Sequence, residues 1–218
     1  MSDLYRLRFS KTGKARFISH LDLQHTIQRS FIRAGVPMKH TNGFNPHPYM
    51  SVALPLSVGC ESLCELMDYE AEGPFLPHEL PELLNPFLPE GIAFLEAYRP
   101  ERKFKEIRWL EVEGVWTYDG TAPDPAELDR LFARETLVIE KKTKRGTAPT
   151  DILPAIDRIS FGGSGKELVM QAVLSAQEPS LNPELLVRAV SVYAPEISPD
   201  DAAFCRKEIY DADHRIFR

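Results

Sequence analysis

A short segment near the start of the chain combines a cluster of cations with a histidine; its candidate binding residues are Lys11, Lys14, Arg16, Ser19 and His20. Lysine and arginine bring positive charge to a phosphate or carboxylate, and arginine adds a bidentate fork. The free N–H groups at a helix start favour the same ligands. The segment therefore predicts an anion-binding loop between a first strand and a first helix. The alternative is a solvated surface turn.

A second unusual segment, residues 41–49, reads Thr-Asn-Gly-Phe-Asn-Pro-His-Pro-Tyr. Its prolines stiffen the backbone around His47, and its aromatic rings have the type that stacks on unpaired bases. We expect Phe44, Asn45, His47 and Tyr49 to contact RNA or another ligand. The alternative is a structural loop in which His47 bonds only to backbone.

Two arginines extend this basic surface along the first helix. Leu23, Ile27 and Phe31 recur at helical spacing and predict its buried face, whereas Arg29 and Arg33 lie off that stripe. We expect both arginines to face solvent and to contribute to anion or RNA binding.

His20 has a second possible role as a general acid or base, because its ordinary pKa lies near neutrality. With Lys14 stabilising a pentavalent phosphate, His20 would support RNA cleavage without a metal. A metal site built from His20, Asp22 and His47, with Cys60 or Cys64, is a weaker alternative. Its spacing matches no zinc pattern, so we expect neither a metal nor another cofactor.

The charge is distributed unevenly along the chain. Eight basic and two acidic residues give residues 1–50 a net charge of +6, whereas the whole chain carries −6. Residues 51–218 therefore sum to −12, which disfavours indiscriminate binding to nucleic acid.

The composition is that of an ordinary globular protein, with 43% hydrophobic and 27% charged residues. The first residues lack the apolar stretch of a signal peptide, and no apolar run approaches the length of a membrane span. The three cysteines make no disulfide framework. We therefore expect a cytoplasmic protein that does not interact with membranes.

The order of the predicted elements indicates an α+β fold made of two tandem ferredoxin-like units, each β-α-β-β-α-β. The first half predicts this order more clearly than the second. In the second half the pattern predicts, among others, a strand at Thr136–Lys142 and a closing strand at Glu208–Ala212. We predict domains at residues 1–100 and 107–218, joined by a charged linker at Arg99–Glu106. The basic run Lys141–Arg145 is predicted to be an exposed loop.

Four motifs resemble the bacterial radical SAM-linked protein family. They are Lys11-x-Gly13-x-x-Arg16-Phe17-Ile18-Ser19-His20-x-Asp22, Arg33-Ala34-Gly35, Gly43-Phe44-Asn45-Pro46-His47-Pro48 and Ala53-Leu54-Pro55-Leu56-x-Val58-Gly59-x-Glu61-Ser62. The resemblance is dense over residues 4–72. The chain departs from it at His25, where many relatives are expected to carry arginine, so the role of His25 is open.

The resemblance implies a partner and a substrate class. Members are fused to, or encoded beside, a radical SAM enzyme with a cobalamin-binding domain, often near genes for a ribonuclease E/G-like enzyme and ribosomal proteins. This chain lacks the Cys-x3-Cys-x2-Cys cluster motif, so it is not itself the radical enzyme. We expect an accessory protein that presents RNA or a ribosomal component to such an enzyme. The alternatives are a metal-independent endoribonuclease using His20 and a pure protein–protein adaptor.

Overall fold

The α+β class predicted from the sequence is confirmed by the structure, a computed structural model that describes residues 3–42, 44–73, 75–143 and 146–218. The chain divides into two compact units. The first contains the residues up to Glu106 together with Arg218, and the second runs from Ile107 to Phe217.

The first unit places two helices against a small antiparallel sheet. Its elements are β1 (Asp3–Lys11), α1 (His20–Ala34), β2 (Met50–Val52), β3 (Glu61–Ala71), α2 (Leu80–Leu84) and β4 (Ile92–Tyr98). The strands lie side by side in the order β4-β1-β3-β2. Helix α2 is short because Pro77 and Pro86 fall in 3-10 turns on either side of it.

The two ends of α1 carry a side-chain cap and a glycine cap. The Ser19 hydroxyl accepts a hydrogen bond from the Asp22 backbone N–H, at 3.2 Å, and begins the helix. Gly35 ends it in the left-handed conformation, at φ +68°. Leu23, Ile27 and Phe31 are buried, as their spacing predicts.

The core of the first unit lies between α1 and one face of β1. Tyr5, Leu7 and Phe9 alternate along β1 and are buried against the apolar stripe of α1. Burial of such side chains contributes about 1.5–3 kcal/mol each to folding, before conformational entropy is subtracted. This packing fixes the direction in which α1 leaves the loop that precedes it.

Arg6 is fully buried on the opposite face of β1. Its Nε lies 2.6 Å from one oxygen of Asp68, and one of its Nη atoms donates to the other oxygen at 2.8 Å. The same Nη donates to the Arg102 carbonyl, and the guanidinium lies 4.2 Å from the centre of the Phe104 ring. Arg6 therefore binds the predicted linker segment to the sheet of the first unit.

The α-helices and strands described in the second unit follow in the order β5 (Trp109–Thr117), α3 (Pro125–Phe132), β6 (Val138–Thr143), β7 (Gly146–Asp151), β8 (Ile156–Ser164), β9 (Glu167–Ser175), α4 (Glu184–Tyr193) and β10 (Asp201–Tyr210). Its main strands lie in the order β10-β5-β9-β8, whereas β6 and β7 form a separate antiparallel pair.

Two predicted strands of the second unit need correction. The strand expected at Thr136–Lys142 is β6, which belongs to the separate pair and not to the main sheet. The closing strand expected at Glu208–Ala212 begins seven residues earlier, at Asp201. A register shift between Arg206 and Glu208 interrupts its alternation, so only its last residues carry a readable strand pattern.

Gly91 permits the loop before α1 to approach β4, and we predict that Gly91→Ala destabilises the first unit by about 2–4 kcal/mol. A Cβ atom there would lie 2.3 Å from the Thr12 carbonyl oxygen and 2.9 Å from the Ala15 Cβ, and φ is +88°. Amide hydrogen exchange in β1 and β4 measures the loss. Gly120→Ala, with open space around it, is the control and should change exchange little. Equal protection in both variants would contradict the prediction.

Candidate nucleic-acid interface

The loop between β1 and α1 is organised around a buried lysine. Residues Gly13–Phe17 form a 3-10 turn, and Lys11 lies beneath it with only 1% of its surface exposed. The Lys11 ammonium donates to the Ile18 carbonyl at 2.7 Å and to the Arg16 carbonyl at 3.2 Å. Lys11 was predicted to bind an anion; the structure places its charge inside the protein, where it holds the loop.

The Lys11 ammonium shares its buried environment with Glu65, whose side chain is also buried. Burial lowers the pKa of Lys11, while the negative charge of Glu65 and the thiol of Cys60 oppose that shift. Two opposite charges thus occupy the end of the core under the loop. Removing either one would leave the other charge buried without its neighbour.

Three backbone contacts fix the rest of the loop. Thr12 donates its N–H to the Gly91 carbonyl at 2.7 Å, and the Gly59 N–H donates to the Arg16 carbonyl at 2.9 Å. The Gly13 N–H donates to a carboxylate oxygen of Glu61 at 2.8 Å. An acidic side chain of the protein therefore already occupies one of the backbone donors expected for an external anion.

The exposed side chains of the loop are those of Lys14 and Phe17, and Arg16 beside them is half-buried. Lys14 is exposed and makes no ion pair within the described residues. The Arg16 guanidinium lies 4.8 Å from the centre of the Phe17 ring, which is 60% exposed. A cation stacked on an exposed ring forms a surface that can take both a phosphate and a base.

The start of α1 is capped by its own residues. The Ser19 hydroxyl donates to the Asp22 carboxylate at 2.7 Å while accepting the Asp22 N–H. The Gln24 amide lies 3.2 Å from the His20 Nε2 and can donate to it. Ser19 and Asp22 therefore satisfy each other, and one ring nitrogen of His20 is engaged within the helix.

One face of α1 carries one histidine and two arginines at a spacing of four residues. His25, Arg29 and Arg33 are all exposed and have no hydrogen-bond or ion-pair partner in the part of the chain that the structure describes. The predictions for Arg29 and Arg33 placed them on this surface, but His25 was left without a role. Its i, i+4 spacing to Arg29 is the signal that places it on the same face.

Residues 39–49 form a hairpin-like loop on the edge of the sheet. Tyr49 donates its N–H to the Lys39 carbonyl and Thr41 donates to the His47 carbonyl, both at 2.8 Å. The His47 ring lies 3.2 Å from both the Thr41 hydroxyl and the Asn45 carbonyl. His47 therefore closes the loop, which is the structural role weighed against ligand binding. Gly43 lies outside the described residues.

The aromatic residues of this loop differ in their surroundings. Phe44 is fully exposed, and Asn45 beside it is also exposed. The Tyr49 ring has the Lys39 ammonium 5.1 Å from its centre, and that ammonium pairs with Glu70 at 2.5 Å. The Glu70 carboxylate raises the pKa of Lys39 through this hydrogen bond. Phe44 is thus the aromatic ring with the greatest access to a ligand.

An apolar cleft of about 610 Å³ lies between the end of α1 and the chain that leads into this loop. Its apolar lining includes Ile32, Val36 and Met38, and its polar lining includes Gln28 and His40. Met38 accepts a hydrogen bond from His40 Nδ1 at 2.8 Å, which leaves the other ring nitrogen as an acceptor in the neutral form. Sequence reasoning missed this cleft because its residues come from a helix end and a loop.

The remaining predicted groups lie apart from this surface. Within the described residues no three His, Cys, Asp or Glu side chains converge as metal ligands, so His20, Asp22 and His47 are not brought together. In the second unit, Lys141 donates to the Ser180 carbonyl at 2.6 Å. Lys144 and Arg145 of the predicted basic run lie outside the described residues.

A comparison with known protein families shows which family the chain belongs to. Residues 4–183 match a family described as "Uncharacterized protein conserved in bacteria (DUF2344)". The chain belongs to this family. The DUF2344 match covers the whole loop and helix surface described above. No curated protein matches the chain. No helix among the described residues has the length and apolar character needed to cross a membrane.

The two lysines of the loop allow a matched test of structural and surface charge. We predict that Lys11→Met lowers the stability of the first unit by about 3 kcal/mol, because it leaves Glu65 and two carbonyls without their cation. Lys14→Met removes the same charge from the surface and should change stability by less than about 0.5 kcal/mol. Urea denaturation followed by circular dichroism measures both. Equal stability of the two variants would show that Lys11 does not hold the loop.

Proposed function

We propose that this DUF2344 protein binds RNA, or an RNA–protein particle, as an accessory protein that presents this substrate to a radical SAM enzyme. The observation that carries the proposal is the set of cations on the loop and on one face of α1 that have no acidic partner among the described residues. Lys14, Arg29 and Arg33 are exposed, and Arg16 stacks on an exposed ring. A phosphate backbone is the ligand that neutralises several such charges at once.

The number of cations available to a ligand sets how strongly RNA affinity depends on salt concentration. Four of the eight cations in residues 1–50 are already committed, because Arg6 and Lys11 are buried while Arg8 and Lys39 pair with Glu96 and Glu70. The remaining four are those on the loop and α1. We therefore propose a footprint of about four phosphates, with a salt slope near −2.8 on single strands at roughly −0.7 per phosphate.

Exposed aromatic rings supply the second part of the proposal. Phe44 and Phe17 are exposed in the same unit as the unpaired cations, and Tyr49 is partly covered by Lys39. Stacking of an unpaired base on an aromatic ring is worth about 1–3 kcal/mol and tolerates any base. Single-stranded RNA, with its bases open, suits this arrangement better than a duplex does.

The radical SAM partner rests on the family resemblance of the motifs. The chain has three cysteines and no cluster motif, so the radical chemistry in this proposal belongs to the partner, an enzyme with a cobalamin-binding domain. The part left to this chain is binding and orientation of the substrate.

We also propose that the two units are tandem ferredoxin-like folds. When the main strands of each unit are numbered in chain order, both sets of strands follow the order 4-1-3-2. In the second unit the β6–β7 pair is then an insertion between the first helix and the second main strand. This assignment explains why β6, which the sequence pattern predicted as a strand of the main sheet, pairs with β7 instead.

Catalysis by His20 is the alternative that the same surface allows. His20 begins α1 directly after the cation-bearing loop, and Lys14 is exposed on that loop. A His20→Ala variant that keeps RNA binding but loses RNA cleavage would select this endoribonuclease reading. A protein that is purified free of RNA and shows no salt-sensitive RNA binding would select a protein–protein adaptor.

We predict that replacing Lys14 and Arg16 together with alanine weakens RNA binding and flattens the salt slope by about 1.4, because two phosphate contacts are lost. Fluorescence anisotropy with a labelled 12-nucleotide single-stranded RNA, titrated at several salt concentrations, measures the slope. Replacing Arg130 and Arg188, on the helices of the second unit, removes the same charge and is the control. An unchanged affinity and slope in the Lys14/Arg16 variant would count against the interface.

We predict that Phe44→Ala weakens RNA binding by about 1–3 kcal/mol and leaves the salt slope unchanged, because a stacking contact carries no charge. The same anisotropy titration measures both quantities. Leu95→Ala is the control, since Leu95 is an exposed apolar residue on β4 away from the hairpin-like loop. If both variants bind RNA like the unmodified protein, no base stacks on Phe44.

A further inference from the structure

A second cleft lies on the other side of α1, between the middle of the helix and the segment from Pro86 to Pro89. Its volume is about 360 Å³. Thr26, Arg29 and Arg33 line the helix side, and Phe87 and Leu88 line the opposite side. Among the residues that the structure describes, the lining contains two guanidinium groups, one hydroxyl and one aromatic ring, and no carboxylate.

The two arginines of this cleft carry charge that the described chain does not neutralise. Arg29 and Arg33 are one helical turn apart, and neither has an ion-pair or hydrogen-bond partner within the described residues. Like charges at this spacing on a helix repel each other. An anion bound between them removes that repulsion and takes bidentate hydrogen bonds from both.

The wall facing the arginines is held in place by hydrogen bonds to β4. The Asn85 amide donates to the Phe94 carbonyl at 2.9 Å and its oxygen accepts the Phe94 N–H at 2.8 Å. Leu88 then closes the turn by donating its N–H to the Asn85 carbonyl at 3.1 Å. Phe87 projects from this fixed turn with 38% of its surface exposed. The cleft is therefore formed before any ligand binds.

We propose that this cleft binds the terminal 5′-phosphate of a single-stranded RNA, with the ring of Phe87 against the first nucleoside. The inference rests on the proposed RNA-binding function and names the part of the RNA that is recognised. A terminal phosphate carries close to two negative charges and three free oxygens, whereas an internal phosphodiester carries one charge and two free oxygens. Two guanidiniums and the Thr26 hydroxyl match the terminal group in charge and in number of donors.

The test compares two forms of one RNA. A 12-nucleotide single-stranded RNA with a 3′ fluorophore is prepared with a 5′-phosphate and with a 5′-hydroxyl, and anisotropy gives the affinity of the full chain for each. We expect the phosphorylated form to bind about tenfold more tightly, as two additional charge-assisted contacts at a partly exposed site allow. Arg29→Gln and Arg33→Gln should each reduce this ratio, and together they should abolish it.

Two further variants distinguish binding in the cleft from a general effect of charge on RNA affinity. Arg188→Gln removes one exposed arginine from α4 and should keep the ratio. Thr26→Val keeps the shape and removes the hydroxyl, and it should lower the ratio about threefold without affecting the 5′-hydroxyl RNA. Circular dichroism melting of each variant confirms that its fold is retained.

The outcomes distinguish this inference from the proposed function. If the chain binds both RNAs equally, the terminal-phosphate cleft is overturned while RNA binding stands. If it binds neither RNA, uridine 5′-monophosphate is titrated while the amide signals of residues 26–33 and 86–89 are followed. Shifts that uridine alone does not cause would support the cleft and remove the RNA-binding proposal, and the absence of shifts would remove both.

Discussion

The buried ammonium of Lys11 determines the shape of the first unit's loop, and the candidate interface depends on that shape. Its two hydrogen bonds end on the carbonyls of Arg16 and Ile18, at the end of the 3-10 turn and just before α1. Because the turn is held from below, the side chains of Lys14 and Phe17 have only the solvent side available to them. A buried charge is costly, and Glu65 offsets part of that cost. The same arrangement places Ser19 where it begins α1.

The division of the cations explains how an acidic protein presents a basic surface. Strand β3 supplies Glu61, Asp68 and Glu70, which bind Gly13, Arg6 and Lys39 respectively. A net charge of +6 over residues 1–50 therefore overstates the charge that a ligand meets, because the acids of β3 fall outside that window. The cations left over come from one loop and one face of α1. Affinity for a polyanion then depends on a few defined positions and not on the overall charge.

Local patterns predicted the elements of this fold better than they predicted the roles of individual charges. The caps of α1 and the alternation of Tyr5, Leu7 and Phe9 are local features, and the structure reproduces them. Lys11 and Lys14 are the same residue type three positions apart, yet one is buried and the other exposed. That difference is set in part by Glu65, which lies on β3, far outside any local window around the lysines. The sequence likewise predicted a strand where β6 lies, but it did not predict that β6 pairs with β7 apart from the main sheet, because strand partners are chosen by tertiary packing.

The two clefts beside α1 give the proposed RNA-binding function two candidate sites on one helix. Arg29 and Arg33 face the cleft walled by Phe87, whereas Gln28 and Ile32 line the apolar cleft on the other side of the helix. Because these side chains project from one helix whose inner face is buried, the spacing between a charged site and an apolar site is fixed by helix geometry. A strand of RNA that places its phosphate in one cleft and a base in the other would be held in one orientation. Holding a substrate in one orientation is the task that an accessory protein performs for a partner that carries the reactive group.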